Sequence, residues 1–308
     1  MNPRSQTGRM IVLFGSTGFT GKLVTQYFAK YVSRRFPNLE WCIAGRNREK
    51  LERLRDSLDT KTLPSIRVGD GTNPTDAKDI VADASVVVST AGPFLDYSRE
   101  IVNACLHSGS HYVDITGETP FVRDMLDRGH HDRARSQGIY IVPGCGFDSV
   151  PSDIGCYTVV QKIRELTGGG TSRVRCYATL NGKLSGGTVG TFVRMHRLGL
   201  ADQLSDPFLL GGGDRVAASS VKDFDRVEFF KEANAWTAPF MMAPINTRVV
   251  RKCFATFNST HSNDHNEYRY EEHITFSISR ANHHMVRIFN TRNVLWRRTK
   301  HMPKRWSV

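Results

Sequence analysis

The chain has 308 residues, 39% of them hydrophobic and 23% charged, with a formal net charge of +12. That is long enough for two compact domains and too apolar for a disordered chain, yet no apolar run approaches the ~18–20 residues of a membrane span. The charge does not argue for a nucleic-acid partner: residues 280–308 hold eight Lys or Arg and no acid, and the rest of the chain is nearly balanced, with 34 basic against 30 acidic residues.

The first ten residues are polar and lead into a strand, so no signal peptide is expected. Met10–Phe14 is a continuous apolar run, as for a strand buried on both faces. Helical spacing follows over 17–31. The next predicted elements are a strand over 41–44, a helix over 49–58, a weak strand over 66–68, a helix over 74–81 and a strand over 84–89. A helix over 98–107 ends at Gly109, and a strand over 112–115, a helix over 121–137 and a strand over 139–142 complete the series. Strands alternating with helices predict a parallel sheet with right-handed crossovers. After Pro143 the character changes. A helix is expected over 152–166, with Ser152 as N-cap and Gly168–Gly170 as a stop, then a strand over 174–180. Loop character rises through Gly186-Gly187 and Gly211–Gly213, and strand-like runs return over 248–257 and 271–278. The expected fold class is α/β: a Rossmann doubly wound parallel sheet over residues 1–147, a second α+β domain over 148–279, and a basic tail over 280–308.

The strongest motif lies between the first strand and the first helix: Gly15, Ser16, Thr17, Gly18, Phe19, Thr20 and Gly21. Glycine permits the sharp turn, a missing side chain lets backbone approach a pyrophosphate, and the helix N-terminus supplies N–H donors and partial positive charge. A P-loop is excluded, because position 16 is Ser and Leu23 follows Lys22. At the end of the second strand, an NAD-selective site carries Asp or Glu; this chain has Arg46 and Asn47. Arg46 is suited to a 2′-phosphate, so NADP(H) is the expected cofactor. Asp70, after the third strand, is a candidate for the adenine edge, and Ala91, Gly92 and Pro93, after the fourth, for the nicotinamide ribose; ordinary turn chemistry is the alternative for both.

No Tyr-x-x-x-Lys spacing occurs, which argues against a short-chain dehydrogenase. The catalytic candidates are Cys145, Asp148 and Ser149, in a glycine-punctuated turn at a strand end. Asp148 and Asp153 are equally suited to capping the following helix, Asp114 and Glu118 to fixing a turn, and Cys145 to a small buried position. The six cysteines form no Cys-x-x-Cys pair, and free thiols of a reducing, intracellular compartment are expected, with no metal.

Six segments together resemble the saccharopine-dehydrogenase-like oxidoreductases, including those described as trans-acting enoyl reductases: 15–22 (GSTGFTGK), 44–47 (AGRN), 111–118 (HYVDITGE), 144–153 (GCGFDSVPSD), Gly186-Gly187-Thr188 and 238–250 (APFMMAPINTRVV). The tail from Ser277 departs from that family's C-terminal part, as a truncated or divergent C-terminus would. The resemblance implies a saccharopine-reductase-like substrate domain and an NADP(H)-dependent reductase acting on a hydrophobic or lipid-linked small molecule. It is compatible with a cytoplasmic protein or with peripheral contact at a membrane or lipid droplet. Two alternatives stand beside it: a non-catalytic NADP-binding protein of lipid droplets or membranes, and a saccharopine-type amino-acid dehydrogenase. The latter would need cationic clamps for carboxylates, for which Arg194, Arg197, Arg248 and Arg251 are candidates.

Overall fold

The structure, a computed structural model, describes residues 10–169, 171, 173–179, 186–211, 223–231, 234–261 and 269–276. The expectations for residues 277–308, the basic tail among them, lie outside the described residues. The chain divides into two compact units, Met1–Ile154 with Lys183–Gly211, and Gly155–Gly182 with Gly212–Val308. The division is discontinuous in sequence, unlike the single cut near 147 that composition suggests.

In chain order the first unit holds β1 (Met10–Phe14), α1 (Phe19–Tyr27), a π-helical turn (Phe28–Val32), α2 (Ser33–Arg35), β2 (Trp41–Gly45), α3 (Arg48–Asp56), β3 (Ser65–Val68) and α4 (Pro74–Val81). It continues with β4 (Ala84–Ser89), α5 (Phe94–Tyr97), α6 (Arg99–Ser108), β5 (His111–Asp114), α7 (Thr119–Asp127), α8 (His130–Gln137) and β6 (Ile141–Val142). The six strands form one parallel sheet in the order β3-β2-β1-β4-β5-β6. This is the doubly wound Rossmann arrangement, whose strand order reverses between β1 and β4. Residues alternate across the pleat, and so feed two cores. Val12, Phe14, Cys42 and Ala44 join Val87, Ile101, Leu106 and Phe121 on one face. Leu13, Trp41 and Ile43 join Phe28, Leu51 and Leu54 on the other. Burial on both faces explains the unbroken apolar runs of β1 and β2; each fully buried Leu, Ile or Phe contributes about 1.5–3 kcal/mol.

Several helices differ from their sequence expectation for local reasons. The helix expected over 121–137 is two helices, because Gly129 adopts φ +70° and breaks the run. Ser152 is not an N-cap: the helix α9 (Val150–Thr167) starts two residues earlier and Ser152 is buried within it. Glycine at 186, 187 and 190 does not prevent the helix α10 (Gly186–Arg197), which belongs to the first unit.

The second unit holds β7 (Arg173–Ala178), β8 (Glu228–Phe230), β9 (Ala235–Pro239), α11 (Ala243–His261) and β10 (Arg269–Phe276), with a mixed sheet in the order β7-β10-β9-β8. The strand expected over 248–257 is therefore wrong; it is the middle of α11. Its Val-Val and Phe residues favour strands locally, but Ala243, Asn246, Thr247, Val250 and Arg251 recur at helical spacing as buried positions, and packing overrides propensity. Val250 packs with Cys156 and Val160.

Candidate functional site

The carboxyl ends of the parallel strands carry every loop that the sequence singled out. Backbone bonds lash these ends together: the Gly15 N–H donates to the Ala44 carbonyl at 2.9 Å, Gly69 N–H to Gly45 at 3.1 Å, and Thr90 N–H to Phe14 at 2.9 Å. Ligands of such sheets bind outside these ends, at the point where strand order reverses.

The three glycines of the first turn have different duties. Gly15 has φ +81°, and a Cβ there would lie 2.7 Å from the Ala91 backbone nitrogen. A Cβ on Gly21 would lie 2.1 Å from the Gly15 carbonyl oxygen. Both are required by the turn itself. Gly18 is exposed, in extended backbone (φ −70°, ψ 171°), and a Cβ there would meet only the Gly15 carbonyl, at 3.3 Å. The space outside Gly18 is thus kept open by the absent side chain, and no side chain caps the N-terminus of α1. First-turn N–H groups left without a side-chain acceptor form an anion cradle, into which a pyrophosphate fits. Phe19 is exposed and Thr20 half-buried at the start of that helix, and Thr17 lies beside Gly45 at the end of β2. Ser16 is different from its expectation. Its hydroxyl is buried and donates to the Leu13 carbonyl at 2.6 Å, so only its backbone faces the cradle.

At the β2 end, the Arg46 guanidinium lies over the Tyr97 ring, 4.9 Å from its centroid. Tyr97 in turn backs Gly71, whose Cβ, if present, would lie 2.5 Å from the Tyr97 carbonyl oxygen. No local pattern points to Tyr97, which lies 51 positions from Arg46. Asn47 is exposed, and its Oδ1 accepts the Lys50 N–H at 2.9 Å and caps α3. Asp70 is likewise occupied by its own turn. Its Oδ1 accepts from the Thr72 N–H and hydroxyl, both at 3.0 Å, and these bonds, the backbone one foremost, with Arg46 nearby, hold its carboxyl below the usual range. Ala91, Gly92 and Pro93 lie between β4 and α5, with Ala91 against Gly15.

Two buried carboxylates organise the neighbouring turns. Glu118 accepts the N–H groups of Phe94 and Leu95, at 2.8 and 2.9 Å, and so caps α5 immediately after Pro93. The Thr191 hydroxyl of α10 donates to the same carboxylate at 3.2 Å, and Arg194 forms a two-pronged ion pair with Asp96. Burial pushes the Glu118 carboxyl up. Asp114, at the end of β5, accepts the Thr116 and Gly144 N–H groups on Oδ1, both at 2.9 Å, and the Tyr112 hydroxyl on Oδ2 at 2.8 Å. Its carbonyl also accepts the Cys145 N–H at 2.7 Å. Asp114 therefore pins the turn that carries Cys145, Asp148 and Ser149. Burial pushes its carboxyl up to about 6, against those three donors.

Within that turn Ser149 is buried beside Gly144, and Asp148 is half-buried. Cys145 donates weakly to the Val142 carbonyl at 3.3 Å. Desolvation of its sulfur, then the Asp114 carboxylate, push its thiol up. A nucleophilic cysteine needs the opposite shift, so the structure speaks against a thiolate role. Of the four candidate cationic clamps Arg197 is exposed, and the other three are held in ion pairs. In the second unit the buried Arg248 and Arg251 both pair with Asp223, and in the first Arg194 pairs with Asp96.

Residues 11–142 match the family model for the saccharopine dehydrogenase NADP-binding domain. A Mycobacterium tuberculosis protein provisionally named a trans-acting enoyl reductase is 34% identical over 277 residues, spanning 85% of this chain and 64% of its own length. The trans-acting enoyl reductase of Mycobacterium ulcerans is 31% identical over 287 residues, spanning 88% and 66%. The chain thus spans just under two thirds of the length of these relatives. The apo saccharopine dehydrogenase (L-Glu forming) of Saccharomyces cerevisiae superposes with a TM-score of 0.45 at 17% identity, over 56% of this chain and 35% of that one. The glycine cradle and the cationic rim at Arg46 fit NADP(H), residues 11–142 are similar to the saccharopine dehydrogenase NADP-binding domain, and the chain is 31–34% identical to proteins named trans-acting enoyl reductases.

Proposed function

We propose that the protein is an NADP(H)-dependent oxidoreductase that reduces a hydrophobic or lipid-linked small molecule. The observation that carries this reading is an NADP-binding domain of the saccharopine dehydrogenase type in a chain 31–34% identical, over most of its length, to trans-acting enoyl reductases. Their name specifies reduction of a carbon–carbon double bond next to a carbonyl, and we assign that substrate class here. Residues 1–147 act as the cofactor domain and 148–279 supply the substrate domain, with residues 183–211 of that stretch packed into the first unit.

Bound NADPH supplies the hydride. Gly15–Gly21 hold the pyrophosphate by backbone N–H groups, Arg46 on its Tyr97 platform takes the 2′-phosphate, and Ala91–Pro93 border the nicotinamide ribose. Asn47 and Asp70 support these loops from within, as a helix cap and a turn. Asp148 and Ser149 orient the substrate, and Cys145 contributes as a neutral thiol. The work takes place at or near a lipid surface, a membrane or a lipid droplet; no described helix is long and apolar enough to cross a membrane. A saccharopine-type reaction is disfavoured because three of the four candidate clamps, Arg194, Arg248 and Arg251, are already engaged by Asp96 and Asp223, which leaves Arg197 alone.

The test is NADPH consumption in the presence of α,β-unsaturated acyl thioesters, with saccharopine and NADP+ as the comparison. Turnover of the thioesters is expected. NADPH binding without consumption of any of them would instead support a non-catalytic NADP-binding protein, and turnover of saccharopine would support the amino-acid alternative.

A further inference from the structure

The outer face of the first helix does not behave like an ordinary solvated surface. Phe19, Leu23, Tyr27 and Tyr31 recur every four residues and are 74%, 55%, 61% and 52% exposed. An α-helix would let such a row drift around its axis, but Phe28–Val32 is a π-helical turn, and the wider turn keeps Tyr31 beside Tyr27, with ring centroids 4.8 Å apart and the rings tilted at 41°. Cations flank the row. Lys22, Lys30, Arg34 and Arg35 are all exposed, and the eighteen residues from Phe19 to Phe36 contain no acid. Lys30 and Arg35 lie against the rings of Tyr31 and Phe36, while Arg34 is paired with the exposed Asp59.

We propose that this face is a docking surface for an anionic lipid bilayer. An aromatic and aliphatic stripe edged by basic side chains lies in a membrane interface, with its rings at headgroup level and the cations against lipid phosphates. Charge selects the occupant. A second copy of the chain placed on the same face would bring Lys22, Lys30 and Arg35 against their own counterparts, with no acid in the segment to answer them. An anionic leaflet answers all of them at once. The stripe starts at Phe19, the first residue of α1 and part of the phosphate turn, so docking brings the cofactor edge of the sheet to the lipid surface. The inference stands on the helix alone and does not depend on the reaction catalysed.

The test uses the full chain, with phosphatidylglycerol–phosphatidylcholine vesicles against pure phosphatidylcholine vesicles in a sedimentation assay. Binding to the anionic vesicles only, weakened by salt, is expected. The combined variant Leu23→Ser, Tyr27→Ser, Tyr31→Ser should bind roughly a hundredfold more weakly. Lys30→Gln and Arg35→Gln should each cost about fivefold. NADPH affinity, which none of these side chains is placed to affect, should stay unchanged and reports that the fold is intact. The proposal is overturned if the wild-type chain ignores anionic vesicles, or if the stripe variant binds them as well as wild type, which would move the contact to another part of the chain. It is also overturned if the wild-type chain is a dimer in solution and the stripe variant a monomer. Loss of vesicle binding with retained NADPH binding leaves the oxidoreductase reading untouched, so the two fail separately.

Discussion

Two turns at the same edge of the sheet are built on opposite principles. The turn from Gly15 to Gly21 is held by its own backbone: two glycines make close approaches that no side chain would allow, and the third keeps space open for a ligand. The turn from Gly144 to Ser149 is held from a distance, by a buried carboxylate on β5 thirty residues away. Its neighbour, the loop Ala91–Pro93 leading into α5, follows the second plan, with Glu118 reaching back 24 residues. Anion binding needs only N–H groups at a helix start, so local chemistry suffices. The Gly144–Ser149 turn and the loop into α5 are fixed instead by buried carboxylates.

The comparison predicts that long-range anchors cost more to remove than local ones. Asp114→Ala leaves two amide N–H groups and the Tyr112 hydroxyl without their acceptor, and should destabilise the first unit by roughly 3–5 kcal/mol in a denaturant titration. Asp114→Asn keeps Oδ1 for Thr116 and Gly144 and donates to Tyr112 instead, and should fold normally. The same pair tests the electrostatics. With its carboxyl at about 6 in the folded chain against an ordinary value of 3.8, Asp114 binds its proton more tightly folded than unfolded. Its contribution is therefore fully favourable below about pH 4 and is lost as pH rises through about 6, by roughly 2–3 kcal/mol in all. Asp114→Asn should remove that slope; an unchanged slope would assign it to another group.

Within the local turn, Gly21→Ala forces a Cβ onto the Gly15 carbonyl and should cost about 3 kcal/mol in stability. A smaller effect is expected at the rim. Arg46→Ala should weaken NADPH roughly 10–100-fold, the worth of a charged hydrogen bond, and leave NADH unaffected. Equal losses for both cofactors would show that Arg46 does not read the 2′-phosphate.

The same distinction governs what the sequence made legible. The parallel sheet and its order of elements were readable from apolar runs of strand length separated by helical spacing, and the phosphate turn from glycine spacing at a strand–helix junction. Arg46 was readable from the absence of an acid at one position. Tyr97 beneath Arg46, Glu118 capping α5, and Thr191 and Arg194 returning to the first unit were not, because each joins residues between 24 and 98 positions apart with no local pattern. The strand expected over 248–257 failed for the same reason: β-branched residues suggested an extended chain, and the burial of Arg248 and Val250 in α11 is a tertiary choice. Asn47 and Asp70 follow the ends of β2 and β3, and the bonds that their side chains make to a helix cap and a turn had no separate signal in the sequence.

The most direct test of the central claim, that the Gly15–Gly21 turn with Arg46 forms an NADP(H) site, is calorimetric titration of the full chain and of Gly18→Val with NADPH and NADH. The wild-type chain should bind NADPH at least tenfold more tightly than NADH. Gly18→Val should melt within a few degrees of wild type, since its Cβ meets only one carbonyl at 3.3 Å, yet bind neither cofactor, because the branched side chain fills the space a pyrophosphate needs. An NADH preference in the wild type, or normal NADPH binding by Gly18→Val, would contradict the account.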